Sequence, residues 1–172
     1  ETEIGVDALI IQDLGLGELI RENMPNFEMH LSTQGTVFGV GGASLCKKLG
    51  YSRVVLAREM NLEQISSVCE TSQVETEVFV HGALCFCFSG QCQLSRTFGG
   101  RSGNQGVCAQ PCRLPYKLAG KSEKKYHLSP KDLSLIDHLD ELIKLGINSL
   151  KVEGRLKSPE YVATVTRIYR KY

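Results

Sequence analysis

Short apolar runs rich in β-branched residues recur roughly 20 to 30 residues apart, and amphipathic stretches of helical period separate most of them. The runs are 7–12, 27–32, 53–57, 77–80 and 149–152. Between them lie helical patterns over 16–24, 42–49, 62–71, 130–145 and 159–169. Ser129 before Pro130 and Ser158 before Pro159 read as N-caps followed by Pro at the first helical position, and Gly50 and Gly146 sit where helices should stop. Strand, helix, strand with short connections implies right-handed crossovers and a parallel sheet. The chain is thus expected to be α/β, either an open doubly wound sheet or part of a (β/α)8 barrel.

Polar residues at the strand ends favour the barrel. Gln12 and Asp13, Thr33 and Gln34, Arg58 and Glu59, His81, and Glu153 and Arg155 each follow a run. In a parallel barrel all these ends open on one face, where such enzymes build their sites. Arg58, Glu59, His81, Glu153 and Arg155 are therefore candidate catalytic residues, expected to converge, with Arg58–Glu153 or Glu59–Arg155 pairing across the opening. Leu14-Gly15-Leu16-Gly17 lacks the third glycine of a dinucleotide loop.

The 172 residues are 42% hydrophobic, enough for one core, and 20 Lys and Arg against 19 Asp and Glu leave a net charge of +1. That balance removes any bulk electrostatic case for a nucleic-acid or membrane-surface protein. No apolar run reaches the roughly 18 residues of a membrane helix, and the acidic start is unlike an export signal, so a cytoplasmic setting and no membrane partner are expected. A first residue other than Met and a strand so near the start suggest a piece of a longer protein. Five strands where a small barrel needs about eight would leave two open edges and an apolar inner face, so self-association is expected.

Five of the seven cysteines fall between Cys85 and Cys112, in a Gly- and Ser-rich insertion over about 82–120. The spacing Cys85-x6-Cys92-x15-Cys108-x3-Cys112 offers four thiolates from one loop, for a tetrahedral zinc ion or a [4Fe-4S] cluster. Without C-x2-C knuckles zinc is the weaker of the two. Cys87 is one thiol too many, and Cys46 and Cys69, isolated in helical patterns, read as inert packing thiols. His81 and Cys85 would be the base and nucleophile of a peptidase, but on a strand four residues spread them over about 13 Å. Lys117, Lys121, Lys124 and Lys125, with Arg96, Arg101 and Arg113, could neutralise phosphates, and Tyr116 or Phe98 could stack an unpaired base.

Glu77 to Cys85 followed by Ser89 to Ser95 resembles the signature of peptidase family U32, the collagenase-like proteases. The likeness extends through Gly103 to Arg113, through Ala57-Arg58-Glu59 and through Lys151 to Tyr161. It implies one TIM-barrel-like domain of which this chain holds the later strands. Within the family, the branch that hydroxylates a cytidine of large-subunit ribosomal RNA is most similar. The resemblance implies iron–sulfur-dependent hydroxylation of an RNA base, with a [4Fe-4S] cluster on Cys85, Cys92, Cys108 and Cys112. Proteolysis with a cysteine nucleophile is the alternative, and a metal-bound RNA-binding module, with zinc in place of the cluster, is the third reading.

Overall fold

The computed structural model describes residues 5–89 and 91–172, and its frame is a parallel sheet with helices packed on one face. Strand β1 (Ala8–Ile11) leads into helix α1 (Leu14–Asn23), which Asp13 caps by accepting from the Leu16 N–H at 2.9 Å. There follow β2 (Glu28–Leu31), α2 (Val40–Lys48), β3 (Arg53–Val55) and α3 (Leu62–Thr71), the last opened by a reciprocal capping box between Asn61 and Gln64. Strand β4 (Glu75–Gly82) precedes the cysteine segment, which contains α4 (Leu94–Gly99). A small hairpin, β5 (Tyr116–Lys117) with β6 (Lys124–Lys125), comes next. The chain closes with β7 (Leu133–Ser134), α5 (Leu139–Lys144), β8 (Ser149–Val152) and α6 (Pro159–Lys171).

All five expected runs are strands of one sheet, and β1, β2, β3, β4 and β8 pair in parallel in that spatial order. The two-residue period sorts their side chains. Ile11, Met29, Leu31, Val54, Leu56, Val78 and Val80 join Ala43, Cys46, Ile65, Val68 and Leu142 of the helices in a single core. Among the described residues no helix is long and apolar enough to cross a membrane.

The opposite face departs from expectation. It is not an apolar surface, because Glu28, His30, Arg53, Glu75, Glu77 and Lys151 project from it, with Ile10 exposed at the β1 edge. Arg53 pairs with Glu75 at 2.6 Å and Lys151 with Glu77 at 2.7 Å. Charges that pair within the face need no second sheet or helix layer to cover them. The described sheet is open, with β1 and β8 at its two edges rather than joined in a ring.

The helix expected over 130–145 forms only in its last part. Leu133 and Ser134 instead pair antiparallel with Gly82 and His81, a 3-10 turn spans Ile136–His138, and α5 begins at Leu139. The reason is the length of β4. Strand β3 pairs with it only as far as Glu77, and β7 satisfies the remaining edge, the Leu135 N–H donating to the Val80 carbonyl at 2.9 Å. Ser129 caps nothing there, since its hydroxyl accepts from Arg113 at 3.0 Å. Ser158 does cap α6, and Gly50 and Gly146 take the left-handed φ of +83° and +76° that ends a helix.

Candidate functional site

The C-terminal ends of β2, β3, β4 and β8 open on one cavity of about 440 Å³. Its wall includes all four cysteines singled out by spacing, Cys85, Cys92, Cys108 and Cys112, together with Arg58, Arg113, Lys151, Glu153 and Arg155. Cys85 follows β4, Cys92 precedes α4, Cys108 lies beyond it, and Cys112 sits in the 3-10 turn Pro111–Arg113. All seven cysteines are free, and the four are partly exposed.

Around the short helix α4, hydrogen bonds give the cysteine segment its shape. Arg113 ties three stretches together, donating to the Leu84 carbonyl at 2.9 Å and the Ser129 hydroxyl at 3.0 Å, and pairing with Asp132 at 3.1 Å. The Ala109 N–H donates to the Ser95 hydroxyl at 2.9 Å, and the Gln110 N–H to the Cys108 sulfur at 3.3 Å. Glu59 accepts from both the N–H and the hydroxyl of Ser89, at 3.0 and 2.9 Å, and Ser89 is fully buried. Thr36 donates to the Ser89 carbonyl at 2.6 Å, and Gln34 reaches the Gly103 carbonyl. The loop after β2 thereby braces the loop after β4.

Burial raises the Cys112 thiol, and the neighbouring Cys85 raises it further against the pull of the Arg113 guanidinium. Burial likewise raises Cys87, with Cys92 and Cys85 adding to it. Thiols set this close resist ionising together unless positive charge arrives among them. Cys46 is different in kind: it lies in the core, where burial pushes its thiol up to about 11. Cys69 packs half-buried with its sulfur 3.4 Å from the Thr76 hydroxyl. Among the described residues no three His, Cys, Asp or Glu side chains are grouped to hold one metal ion.

The five candidate catalytic residues do not all converge. Arg58 lies over the Phe79 ring at 5.4 Å and lines the cavity. Glu153 accepts from the N–H groups of Arg155 at 2.9 Å and Ala83 at 3.4 Å, while the Arg155 guanidinium donates to the Gly106 carbonyl; both line the cavity. Neither expected pair, Arg58–Glu153 or Glu59–Arg155, forms among the described ion pairs, because each member has these other partners. Glu59 acts as the anchor of Ser89. His81 points away: its ring nitrogens meet the hydroxyls of Tyr161 at 3.0 Å and Tyr169 at 3.3 Å, on α6.

A shift in register turns His81 over. Phe79 pairs with Lys151 but His81 with Val152, so β4 carries one extra residue and the alternation inverts. Gly82, at φ +112°, completes the bend, and a Cβ there would meet the Glu153 carbonyl oxygen at 2.2 Å. Sequence reading also missed Phe79 and Lys151. The ammonium lies 5.6 Å from the ring centroid, so two cations flank one aromatic ring beside the cysteines. Period-two alternation from Glu77 places Phe79 on the face of Glu77, and Lys151 pairs beside it on β8. The four lysines of the basic run are exposed on or beside the β5–β6 hairpin, with Lys125 paired to Glu123.

The model of Peptidase family U32 matches residues 2–172. The 23S rRNA 5-hydroxycytidine C2501 synthase of Escherichia coli (strain K12) is 43% identical over 173 residues, covering 98% of this chain and 26% of that protein. The tRNA hydroxylation protein P1 of Bacillus subtilis (strain 168) is 40% identical over 180 residues, 98% of this chain and 43% of that one. This chain therefore spans less than half the length of either relative. The solved U32 peptidase Mk0906 superposes with a TM-score of 0.52 at 15% identity, over 88% of this chain and 56% of its own, a likeness of fold. With nearly every residue inside the family match, the chain belongs to peptidase family U32.

Proposed function

We propose that this chain is the cysteine-bearing part of an enzyme that hydroxylates a nucleobase in RNA, a ribosomal RNA cytidine being the first candidate substrate. One observation carries the reading: four thiols from one segment line a single cavity together with Arg58, Arg113, Lys151 and Arg155, against the one carboxylate of Glu153. Lys151 and Arg113 are paired with Glu77 and Asp132, so it is Arg58 and Arg155, in no described ion pair, that suit a polyanionic substrate and would balance the negative charge of a thiolate-bound cluster. The two RNA-modifying relatives support the same reading. In the whole protein the open sheet would be completed into a TIM-barrel-like ring, since its strand ends already gather on one side as such rings require. The setting of such work is the cytoplasm.

Cys85, Cys92, Cys108 and Cys112 would hold a [4Fe-4S] cluster. Four partly exposed free thiols, one already accepting a backbone N–H bond, fit that donor set. When bound, the cluster supplies one-electron chemistry. The chain's own residues position and shield. Arg113 and Glu59 fix the cysteine segment, Arg58 and Arg155 hold positive charge at the cavity wall, and Glu153, held by two N–H groups, is the one carboxylate of that wall. Zinc is the weaker occupant. The cysteine segment has no C-x2-C knuckle of the kind that usually holds structural zinc.

The peptidase reading has less support. A cysteine nucleophile needs an adjacent base, and His81 has both ring nitrogens on tyrosines of α6. The test is mass spectrometry of nucleosides from RNA of cells lacking the gene. Loss of a hydroxylated nucleoside, restored by the wild-type gene but not by Cys85→Ser, is expected. Unchanged RNA together with thiol-dependent peptide cleavage by the purified protein would favour the peptidase.

A further inference from the structure

Two phenylalanines meet outside the core on loops that also line the cysteine cavity. Phe38, just before α2, is 58% exposed, and Phe88, in the cysteine segment, is 44% exposed. Their ring centroids lie 5.9 Å apart with the planes at 74°, an edge-to-face pair. In that arrangement one ring's edge meets the other's face, and further ring surface stays open to solvent. The pair bridges 50 residues of sequence.

Its base is firm. Thr36, two residues before Phe38, donates to the carbonyl of Ser89, the neighbour of Phe88, at 2.6 Å, and Gln91 donates back to the Thr36 hydroxyl at 3.3 Å. Ser89 is itself held by Glu59 and fully buried. Rings presented on pinned loops pay little ordering entropy when something stacks on them. Thr33 and Gln34 of the first loop, and Cys85 and Cys92 of the second, line the cavity. An anionic partner suits that cavity, because Arg58 and Arg155 of its wall enter no ion pair among the described residues and face the single carboxylate of Glu153. A polymer that brings both negative charge and flat apolar rings is a nucleic acid whose bases are unpaired.

We propose that Phe38 and Phe88 form a stacking platform for an unpaired base beside the one that enters the cavity, so the RNA substrate must be single-stranded or looped at that place. The proposal rests on the RNA reading above and adds the recognition surface and the substrate's required form. Neither ring belongs to the core cluster, so truncating either should leave the fold intact.

The experiment is fluorescence anisotropy with a labelled 12-nucleotide oligoribonucleotide, alone and annealed to its complement, using the purified protein at fixed salt. The single strand should bind more tightly than the duplex. Phe38→Ala and Phe88→Ala should each weaken single-strand binding roughly five-fold or more, Phe88→Tyr should restore it, and the salt dependence should stay as in the wild type because no phosphate contact is lost. Wild-type single-strand affinity in both alanine variants would overturn the platform and leave the RNA reading standing. No binding of either RNA by the wild type would overturn both. A change of mass in light scattering in the alanine variants, with RNA affinity unchanged, would assign the rings to a protein contact and likewise overturn the platform.

Discussion

Replacing Glu77 with Gln removes one negative charge from the charged face of the sheet while keeping the side chain's shape. Glu77 is only 7% exposed. One of its oxygens accepts from the Lys151 ammonium at 2.7 Å, the other from the Ser149 hydroxyl at 2.8 Å, and Arg53 stands 3.8 Å away. A hydrogen bond to an ionised group contributes about 1.5–3 kcal/mol, and removing one partner of a buried pair costs about 3–5 kcal/mol. Gln keeps one acceptor for Ser149 or Lys151, so Glu77→Gln should cost about 2–3 kcal/mol. In a chain of this size that lowers Tm by roughly 4–12 °C. Urea denaturation followed by circular dichroism at pH 7 measures it.

The pH dependence carries the sign. Burial alone would raise the Glu77 carboxyl, but Lys151, Ser149 and Arg53 together hold it below its usual 4.5. Its contribution is therefore complete above about pH 4.5 and fades as pH falls through the lowered folded-state value. The gap between wild type and Glu77→Gln should narrow on acidification, while other carboxylates affect both proteins alike. A gap under about 0.5 kcal/mol at pH 7, or one that stays constant down to pH 3.5, would refute the reasoning.

Gly82→Ala should destabilise the protein by more than the roughly 1 kcal/mol of an ordinary Gly change, because φ is +112° and the new Cβ would strike the Glu153 carbonyl; a thermal melt within a degree of wild type would contradict this. His81→Phe should weaken α6 docking and lower Tm yet leave any RNA modification measurable, since His81 bonds only Tyr161 and Tyr169 through its ring. Loss of modification at unchanged stability would put His81 back in the site. Glu59→Ala should loosen the cysteine segment, seen as faster amide exchange at Ser89 and its neighbours than in wild type, because it strips two hydrogen bonds from a buried serine; unchanged exchange would deny Glu59 its anchoring role.

The five strands and most helices were legible because a parallel, half-covered sheet imposes period two on its strands and 3.6 on its helices. That Cys85, Cys92, Cys108 and Cys112 line one cavity agrees with their place in a single segment. Other features depend on distant partners. Ser129-Pro130 has the composition of a helix start, but the unpaired end of β4 recruited Leu133–Ser134 as a strand and Arg113 took the serine hydroxyl. His81 was placed at the cavity by counting along β4, and a single extra residue reversed its face. Phe38 and Phe88 meet only because two loops are hydrogen-bonded to each other, which no local pattern records.

The central claim is that Cys85, Cys92, Cys108 and Cys112 form one cluster-binding set. Anaerobic purification with iron and acid-labile sulfide assays and a visible spectrum tests it most directly, comparing wild type, the four single Cys→Ser variants, and Cys46→Ser and Cys69→Ser. About four irons per chain with broad brown absorbance in wild type, Cys46→Ser and Cys69→Ser, and loss in each of the other four, is the predicted result. Equal iron content in all six variants, or zinc alone in the wild type, would contradict it.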